Sequence, residues 1–124
     1  MCELAVATLP KSISSHVQVN PIEILRAGPS YAIDTVEAVR SQFPDDEIFL
    51  IMGADAYSKI DQWHRAEELH KLASIICINR PGFAPHGVDI AALDVSATSI
   101  RAGLSTEVPE IVAAFIRENA LYDN

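Results

Sequence analysis

The stretch E-I-F-L-I-M-G-A-D, from Glu47 to Asp55, decides the fold. Its apolar run, from Ile48 to Met52, is too short for a typical helix and rich in β-formers, so it predicts a strand that is buried on both faces. Gly53 then lets the backbone turn tightly or approach a ligand closely. Ligands of open parallel sheets bind beyond the carboxyl ends of the strands, where Asp55 could accept hydrogen bonds from sugar hydroxyls. On this pattern alone, a core strand followed by an acidic residue at the start of a surface helix is the other interpretation.

Length and composition predict one soluble domain over residues 1–124. The chain has 124 residues, of which 49% are hydrophobic and 21% are charged. No apolar stretch approaches the roughly 18 to 20 residues that a membrane helix needs, and no secretory signal is recognisable. Two isolated thiols, Cys2 and Cys77, favour a reducing compartment, so we expect a cytoplasmic protein without a membrane partner. The formal net charge of −8 argues against a general nucleic-acid surface.

The flanking sequence predicts helices and strands in alternation, as in an α/β protein with a mostly parallel sheet. No N-cap precedes the first predicted helix, which therefore looks like the last turns of a helix whose beginning is missing. A loop with Pro85 and His86 precedes a weak third strand. The predicted helices are residues 1–9, Tyr31 to about Phe43, a short one from Asp55 to about Ile60, about Arg65 to Ala73, one ended by Gly103 and one begun by Pro109; the predicted strands are 16–25, 47–52, 74–79 and 89–95.

A first candidate site lies around the turn Gly28-Pro29-Ser30 and around Trp63. Ser30 is a plausible N-cap, and the exposed N–H groups near Tyr31 and Ala32 could bind a carboxylate or phosphate, although such a cap is usually structural. Trp63, the only tryptophan, either covers the core or stacks on a planar heteroaromatic ring. For His64 we favour a backbone or hydrogen-bonding role over general base catalysis, because no acidic or histidine partner is apparent.

A second candidate site combines the ends of the predicted strands with a serine-rich junction. Arg80 follows the strand at 74–79 and should lie at the same sheet edge as Gly53 and Asp55. The stretch V-S-A-T-S-I-R, residues 95–101, could bring backbone N–H groups, hydroxyls and the Arg101 guanidinium to one phosphate. A Ser/Thr N-cap with an exposed arginine explains that stretch equally well.

Six motifs in order resemble bacterial nicotinate-nucleotide adenylyltransferase of the nucleotidyltransferase superfamily. The resemblance covers nearly the whole chain, and its joint pattern is more specific than any single motif. It implies a Rossmann-like α/β fold and transfer of AMP from ATP to nicotinate mononucleotide, which gives deamido-NAD and pyrophosphate in NAD biosynthesis. The motifs are G-P-S-Y-A-I-D-T (28–35), F-L-I-M-G-A-D-A (49–56), W-H-R (63–65), N-R-P-G (79–82), V-S-A-T-S-I-R (95–101) and A-L-Y (120–122).

The resemblance also implies roles for the candidate residues. Trp63 would stack on the pyridine ring, and backbone N–H groups around Ala32 and His64 would hold its carboxylate, with Ser30 and Tyr31 beside them. Arg80 would approach a substrate phosphate. Magnesium would be carried on the ATP phosphates, and the mechanism would involve no covalent intermediate. The residues expected to bind ATP are Gly53, Asp55, Ser96, Thr98 and Arg101.

The sequence departs from the family at its beginning. The family starts with a strand, a G-G-T-F-D-P turn and an H-x-G-H motif, and residues 1–124 contain none of them, nor any metal-binding motif. We therefore expect an N-terminally truncated, incomplete Rossmann-like fold that lacks its first two strands, has no catalytic residues of its own and is inactive as an isolated chain. Its central strand would have an unpaired edge and exposed apolar residues. Three outcomes are then open: the early strand moves over to pair with it, the chain associates with itself or another molecule through this edge, or the chain is marginally stable. The alternative is a non-catalytic pyridine-nucleotide-binding module, or a subunit complemented by a separate chain.

Overall fold

The structure is a computed structural model that describes residues 1–83 and 87–123; Pro85 and His86 of the predicted loop lie outside this part of the chain. Among the described residues, no helix is both long enough and apolar enough to cross a bilayer. The helices and strands, in chain order, are α1 (Cys2–Ala7), α2 (Lys11–Ser14), α3 (Ile22–Leu25), α4 (Ala32–Gln42), β1 (Phe49–Gly53), α5 (Ala54–Tyr57), a 3₁₀ turn (Ile60–Gln62), α6 (Ala66–Leu72), β2 (Ser74–Ile78), α7 (Ala97–Arg101) and α8 (Glu110–Glu118).

The chain divides into two compact units, and the prediction of a single domain over 1–124 stays a prediction. One unit consists of Met1–Asn20 and Val95–Asn124, and the other consists of Pro21–Asp94. In the first unit α1 packs against α8. The helix that was predicted to begin at Pro109 is confirmed as α8, in which Val112 is buried.

The second unit contains a parallel pair of strands with helices between them. β1 and β2 pair in register from Phe49 opposite Ser74 to Gly53 opposite Ile78, so the predicted parallel arrangement is confirmed. A hydrophobic core forms where α4 and α6 pack against this pair, because both helices place apolar residues at helical spacing on one face. The buried members of this core are Ile33, Val36, Met52, Ile60, Leu69 and Ala73.

β1 is buried on one face only, which corrects the prediction of two-sided burial. Met52 is 8% exposed, whereas its neighbour Ile51 is 66% exposed and Phe49 is 54% exposed. Successive side chains of a strand point to opposite faces, and within the described residues only the Met52 face is fully covered. β1 has β2 on one side and no other paired strand among the described residues. The expected unpaired edge and exposed apolar residues are therefore confirmed.

The predicted strand over residues 16–25 is wrong. No strand is present there in the described chain, and a single helical turn, α3, follows Pro21 instead. Proline is favourable at the start of a helix, where its missing N–H costs no intrahelical hydrogen bond. Ile24, whose alternation with Val17, Val19 and Ile22 suggested the strand, is 85% exposed, and its neighbour Leu25 is 76% exposed.

The predicted third strand over residues 89–95 is also wrong. Val88 alone forms a bridge with Ile78: the Val88 N–H donates to the Cys77 carbonyl over 2.8 Å. The chain then bends, because the Asp89 carboxylate accepts a hydrogen bond from the Ala91 N–H over 2.9 Å. Ala91 has a left-handed backbone with φ of 51°. This local turn prevents the extended backbone that a strand requires.

Candidate functional site

A cleft of about 400 Å³ opens between the start of α4 and the segment that precedes α6. We name it the Tyr31–Trp63 cleft. One wall is the chain entering α4, and the other is the chain leaving the 3₁₀ turn. Its volume is within the range of about 300 to 1,000 Å³ that is typical of small-molecule sites. The residues that line it are Ser30, Tyr31, Ala32, Gln62, Trp63 and His64.

The first wall is shaped by the entry into α4. Tyr31 is the N-cap residue, with an extended backbone, and its side chain makes no capping bond. The prediction that Ser30 is the N-cap is therefore wrong, because the Ser30 hydroxyl accepts a hydrogen bond from Arg26 instead. Arg26 also donates to the Thr35 hydroxyl over 3.3 Å. These bonds join the turn before α4 to the second turn of the helix.

Among the described residues, four backbone N–H groups of the cleft lining are without an acceptor: those of Ser30, Tyr31, Ala32 and His64. The N–H of Ala32 belongs to the first turn of an 11-residue helix, where backbone donors have no partner within the helix. The helix dipole makes this end favourable for a negative charge. Both walls of the cleft therefore present N–H donors to a bound anion.

Aromatic side chains supply the rest of the cleft. Trp63 is half-buried and packs against the hydrophobic core, so its predicted role as core cover is confirmed while it also lines the cleft. The rings of Tyr31 and His64 stack with centroids 4.4 Å apart and an interplanar angle of 28°. This contact joins the two walls. A flat ligand with a carboxylate would meet apolar ring surface and N–H donors together.

The carboxyl ends of β1 and β2 form a second polar cluster, as the strand order predicts. The Arg80 guanidinium lies 3.2 Å from the Asp55 carboxylate, with 26% and 41% of the two side chains exposed. Gly53 has φ of −75°, which any residue adopts, so a tight turn is not the reason for glycine there. A side chain at this position would instead begin 2.5 Å from the Asp55 carboxylate and 2.8 Å from Arg80. Glycine leaves room for this pair to close over the strand end.

The serine-rich junction lies in the other compact unit. Ser96 is the N-cap of α7, and its hydroxyl accepts a hydrogen bond from the Ser99 N–H over 3.1 Å. Thr98 and Arg101 are exposed on this short helix. Within the described residues no strand directly precedes α7, so the predicted strand-to-helix junction is wrong, although the predicted cap is present.

An ion-pair network lies directly beside the cleft, at the start of α6. Arg65 contacts the carboxylates of Glu37 and Glu68. The hydrogen bond to Glu68, followed by the bond to Glu37, raises the pKa of the Arg65 guanidinium above its ordinary value. The hydrogen bond from Arg65 is also the main reason that the pKa of Glu68 is lowered. The raised pKa of Arg65 and the lowered pKa of Glu68 both favour the charged forms of this pair.

Sequence reasoning missed two features of this site. Gln62 lines the cleft, and its only signal was its position beside Trp63. The pairing of Arg65 with Glu37 joins residues 28 positions apart, which no local pattern indicates. Among the described residues, no group of three or more His, Cys, Asp or Glu side chains is arranged to hold a metal ion.

Among known protein families, residues 2–103 match the cytidylyltransferase-like family. A probable nicotinate-nucleotide adenylyltransferase of Bacillus pumilus is 34% identical over the whole chain, which covers 69% of that protein. The nicotinate-nucleotide adenylyltransferase of Bacillus subtilis is 32% identical over 87% of the chain, and 67% of that protein is covered. The chain belongs to the nicotinate-nucleotide adenylyltransferases, as the resemblance of its motifs predicted.

Solved structures show the same fold. The Plasmodium falciparum nicotinic acid mononucleotide adenylyltransferase, complexed with NaAD, superposes with a TM-score of 0.79 at 19% identity, covering 99% of this chain and 71% of that one. The same enzyme complexed with APC gives a TM-score of 0.80 and 73% coverage of that chain. These matches confirm the predicted α/β, Rossmann-like fold in incomplete form. The chain spans between 60% and 70% of the length of its curated relatives.

Proposed function

We propose that this chain binds nicotinate mononucleotide in the Tyr31–Trp63 cleft, as the acceptor of an adenylyl group from ATP in NAD biosynthesis. The observation that carries the proposal is the combination of an aromatic wall with two acceptor-free N–H groups, those of Ala32 and His64. Trp63 stacks on the pyridine ring, and the two N–H groups hold the ring carboxylate. A carboxylate accepts such bonds, whereas the amide nitrogen of nicotinamide cannot.

The second polar cluster would then receive the rest of the substrates. Arg80 approaches a substrate phosphate, while Gly53 and Asp55 line the sugar and adenine side of the nucleotide. The hydroxyls of Ser96 and Thr98, together with Arg101, bind the ATP phosphates. Support comes from the Asp55–Arg80 pair at the strand ends, where ligands of parallel sheets bind. Magnesium arrives on the ATP phosphates as part of the substrate.

The reaction that these sites would serve is a direct displacement. A phosphate oxygen of the mononucleotide forms a bond to the α-phosphorus of ATP, and the bond between that phosphorus and the bridging oxygen to the β-phosphorus breaks. The products are deamido-NAD and pyrophosphate, which carries away the electron pair of the broken bond. The contribution of the protein is to align the two anions and to stabilise the charge that develops on pyrophosphate.

We further propose that residues 1–124 bind the mononucleotide without turning it over by themselves. The 124 residues contain no H-x-G-H motif, with which the family polarises the reacting phosphates. Two interpretations fit such a chain: a binding module without catalysis, or a subunit whose catalytic histidines come from a separate polypeptide. Three expectations stay predictions: a cytoplasmic location, the lack of nucleic-acid and membrane partners, and self-association through the free edge of β1.

Isothermal titration of residues 1–124 with nicotinate mononucleotide tests the proposal. Stacking on an aromatic side chain contributes about 1–3 kcal/mol, so Trp63→Ala should weaken binding by about fivefold to more than a hundredfold. Trp63→Phe keeps a flat ring and should lose less. Nicotinamide mononucleotide, which lacks the carboxylate, should bind more weakly than the acid.

The outcomes are distinct. Absence of heat with the wild-type chain, or equal binding of the two mononucleotides, would refute the proposed cleft. Steady release of pyrophosphate from ATP, magnesium and the mononucleotide would refute the proposed inactivity alone. Circular dichroism of Trp63→Ala must show a folded protein, because Trp63 also packs against the core.

A further inference from the structure

Arg65 makes a second connection between the two walls of the Tyr31–Trp63 cleft, in addition to the Tyr31–His64 stack. Its backbone directly follows His64, whereas its guanidinium contacts Glu37, which belongs to the helix that begins the opposite wall. The Arg65 Nη2 to Glu37 Oε1 distance is 2.6 Å, and Nη1 lies 3.4 Å from Oε2. The contact is thus a two-point, fork-shaped pairing, which fixes orientation as well as distance.

The backbone of Arg65 is held in a conformation that arginine adopts rarely. It has φ of 52° and ψ of 44°, the left-handed region, at the N-cap position of α6. Residues without glycine's freedom stay in this region only where the surroundings hold them there. Because Trp63 and His64 directly precede Arg65, this backbone turn sets the direction in which they approach the start of α6.

We propose that Arg65 is a positioning residue, which holds the Trp63–His64 wall at its distance from α4 through the carboxylate of Glu37. This inference rests on the proposed function, because it assigns a role in mononucleotide binding to residues that do not line the cleft. Arg65 touches no substrate in this scheme. It acts through the backbone of His64, whose N–H is one of the proposed carboxylate donors.

The two carboxylates around Arg65 separate this role from a merely structural one. Glu68 lies three residues further along, in α6 itself, so its pairing with Arg65 stays within one end of one helix. Glu37 lies in α4 and joins the walls. Each change to glutamine removes one negative charge beside the same guanidinium and replaces one of the two acceptor oxygens by an amide nitrogen, which only donates. Only the change at Glu37 should alter the cleft.

The experiment is titration of nicotinate mononucleotide into the wild-type chain, Glu37→Gln and Glu68→Gln. Because partly exposed ion pairs stabilise only weakly, Glu37→Gln should weaken binding by no more than about fivefold, whereas Glu68→Gln should stay within about twofold of wild type. Arg65→Gly, which adopts the left-handed backbone without strain, should match Glu37→Gln. Equal losses in the two glutamine variants, or no loss in either, would overturn the proposal.

A readout without ligand keeps this test independent of the proposed function. His64 stacks on Tyr31, so the ring current of the tyrosine shifts the assigned His64 Cε1–H resonance upfield. That shift should diminish in Glu37→Gln and persist in Glu68→Gln. If the wild-type chain binds no mononucleotide, the proposed function fails, and the resonance still decides whether Arg65 positions this wall. Persistence of the shift in Glu37→Gln would refute the positioning role.

Discussion

Ile51 and Met52, adjacent residues of β1, should respond very differently to the same substitution. Met52 is 8% exposed and belongs to the hydrophobic core, so Met52→Thr should lower the free energy of unfolding by at least about 2 kcal/mol. Ile51 is 66% exposed, so only about a third of its side chain is removed from water. Full burial of such a side chain contributes about 1.5–3 kcal/mol, which leaves about 0.5–1 kcal/mol for Ile51→Thr.

Threonine is the appropriate replacement because it retains a high preference for strands, so that the comparison measures burial and not β-propensity. Urea unfolding, followed by the fluorescence of Trp63, gives both free energies from one probe. The measurement should be made at low protein concentration, which minimises any self-association. A loss at Ile51 as large as that at Met52, under these conditions, would refute the one-sided burial of β1.

The same two variants also test the predicted self-association through the free edge of β1. Sedimentation at rising concentration should show the wild-type mass increasing. Ile51→Thr should reduce this increase, since it removes exposed apolar surface beside the unpaired edge. A mass that does not change with concentration would contradict self-association and leave the stability comparison untouched.

Two further predictions concern the polar clusters. Gly53→Ala should weaken binding of ATP with magnesium several-fold, while the urea midpoint changes little, because the added methyl displaces the flexible Asp55 and Arg80 side chains; unchanged ATP binding would contradict this. Protonation of Glu68 should contribute to unfolding in acid. Hydrogen bonding to Arg65 lowers the pKa of Glu68 in the folded state. The stabilisation by Glu68 is therefore present above the ordinary carboxyl pKa of about 4.3 and is lost as the pH falls through the lower folded pKa. Glu68→Gln should therefore flatten the fall in stability below about pH 4.3, and an unchanged profile would refute it.

The helices and strands that the sequence predicted correctly are those whose hydrophobic pattern is local. β1 and β2 are short, unbroken apolar runs, and α4 places Ile33 and Val36 on one face, so pattern alone indicates them. The failures at 16–25 and 89–95 have a common cause. A strand exists only where a partner satisfies its backbone, and in the second case a hydrogen bond between Asp89 and Ala91 stabilises a turn instead.

The candidate site was predictable in part, and for different reasons at different residues. The exposed N–H groups at the start of α4 follow from helix geometry, whereas the role of Trp63 came from the resemblance to a family and not from its spacing. The pairing of Arg65 with Glu37 and the stack of Tyr31 on His64 depend on how α4 packs against the segment before α6. These contacts join segments that are distant in the sequence, so the pattern of neighbouring residues does not predict them.

The division of the chain gives a physical reason to separate recognition of the pyridine nucleotide from binding of the ATP phosphates at Ser96 to Arg101. All six residues of the Tyr31–Trp63 cleft lie within Pro21–Asp94, above a core whose buried members also belong to that unit. The proposed ligands of the ATP phosphates, from Ser96 to Arg101, belong to the other unit. A cleft that is built on its own core requires no phosphate site to keep its shape. Binding of the mononucleotide should therefore persist where adenylyl transfer is absent, which is what the proposed function requires of this chain.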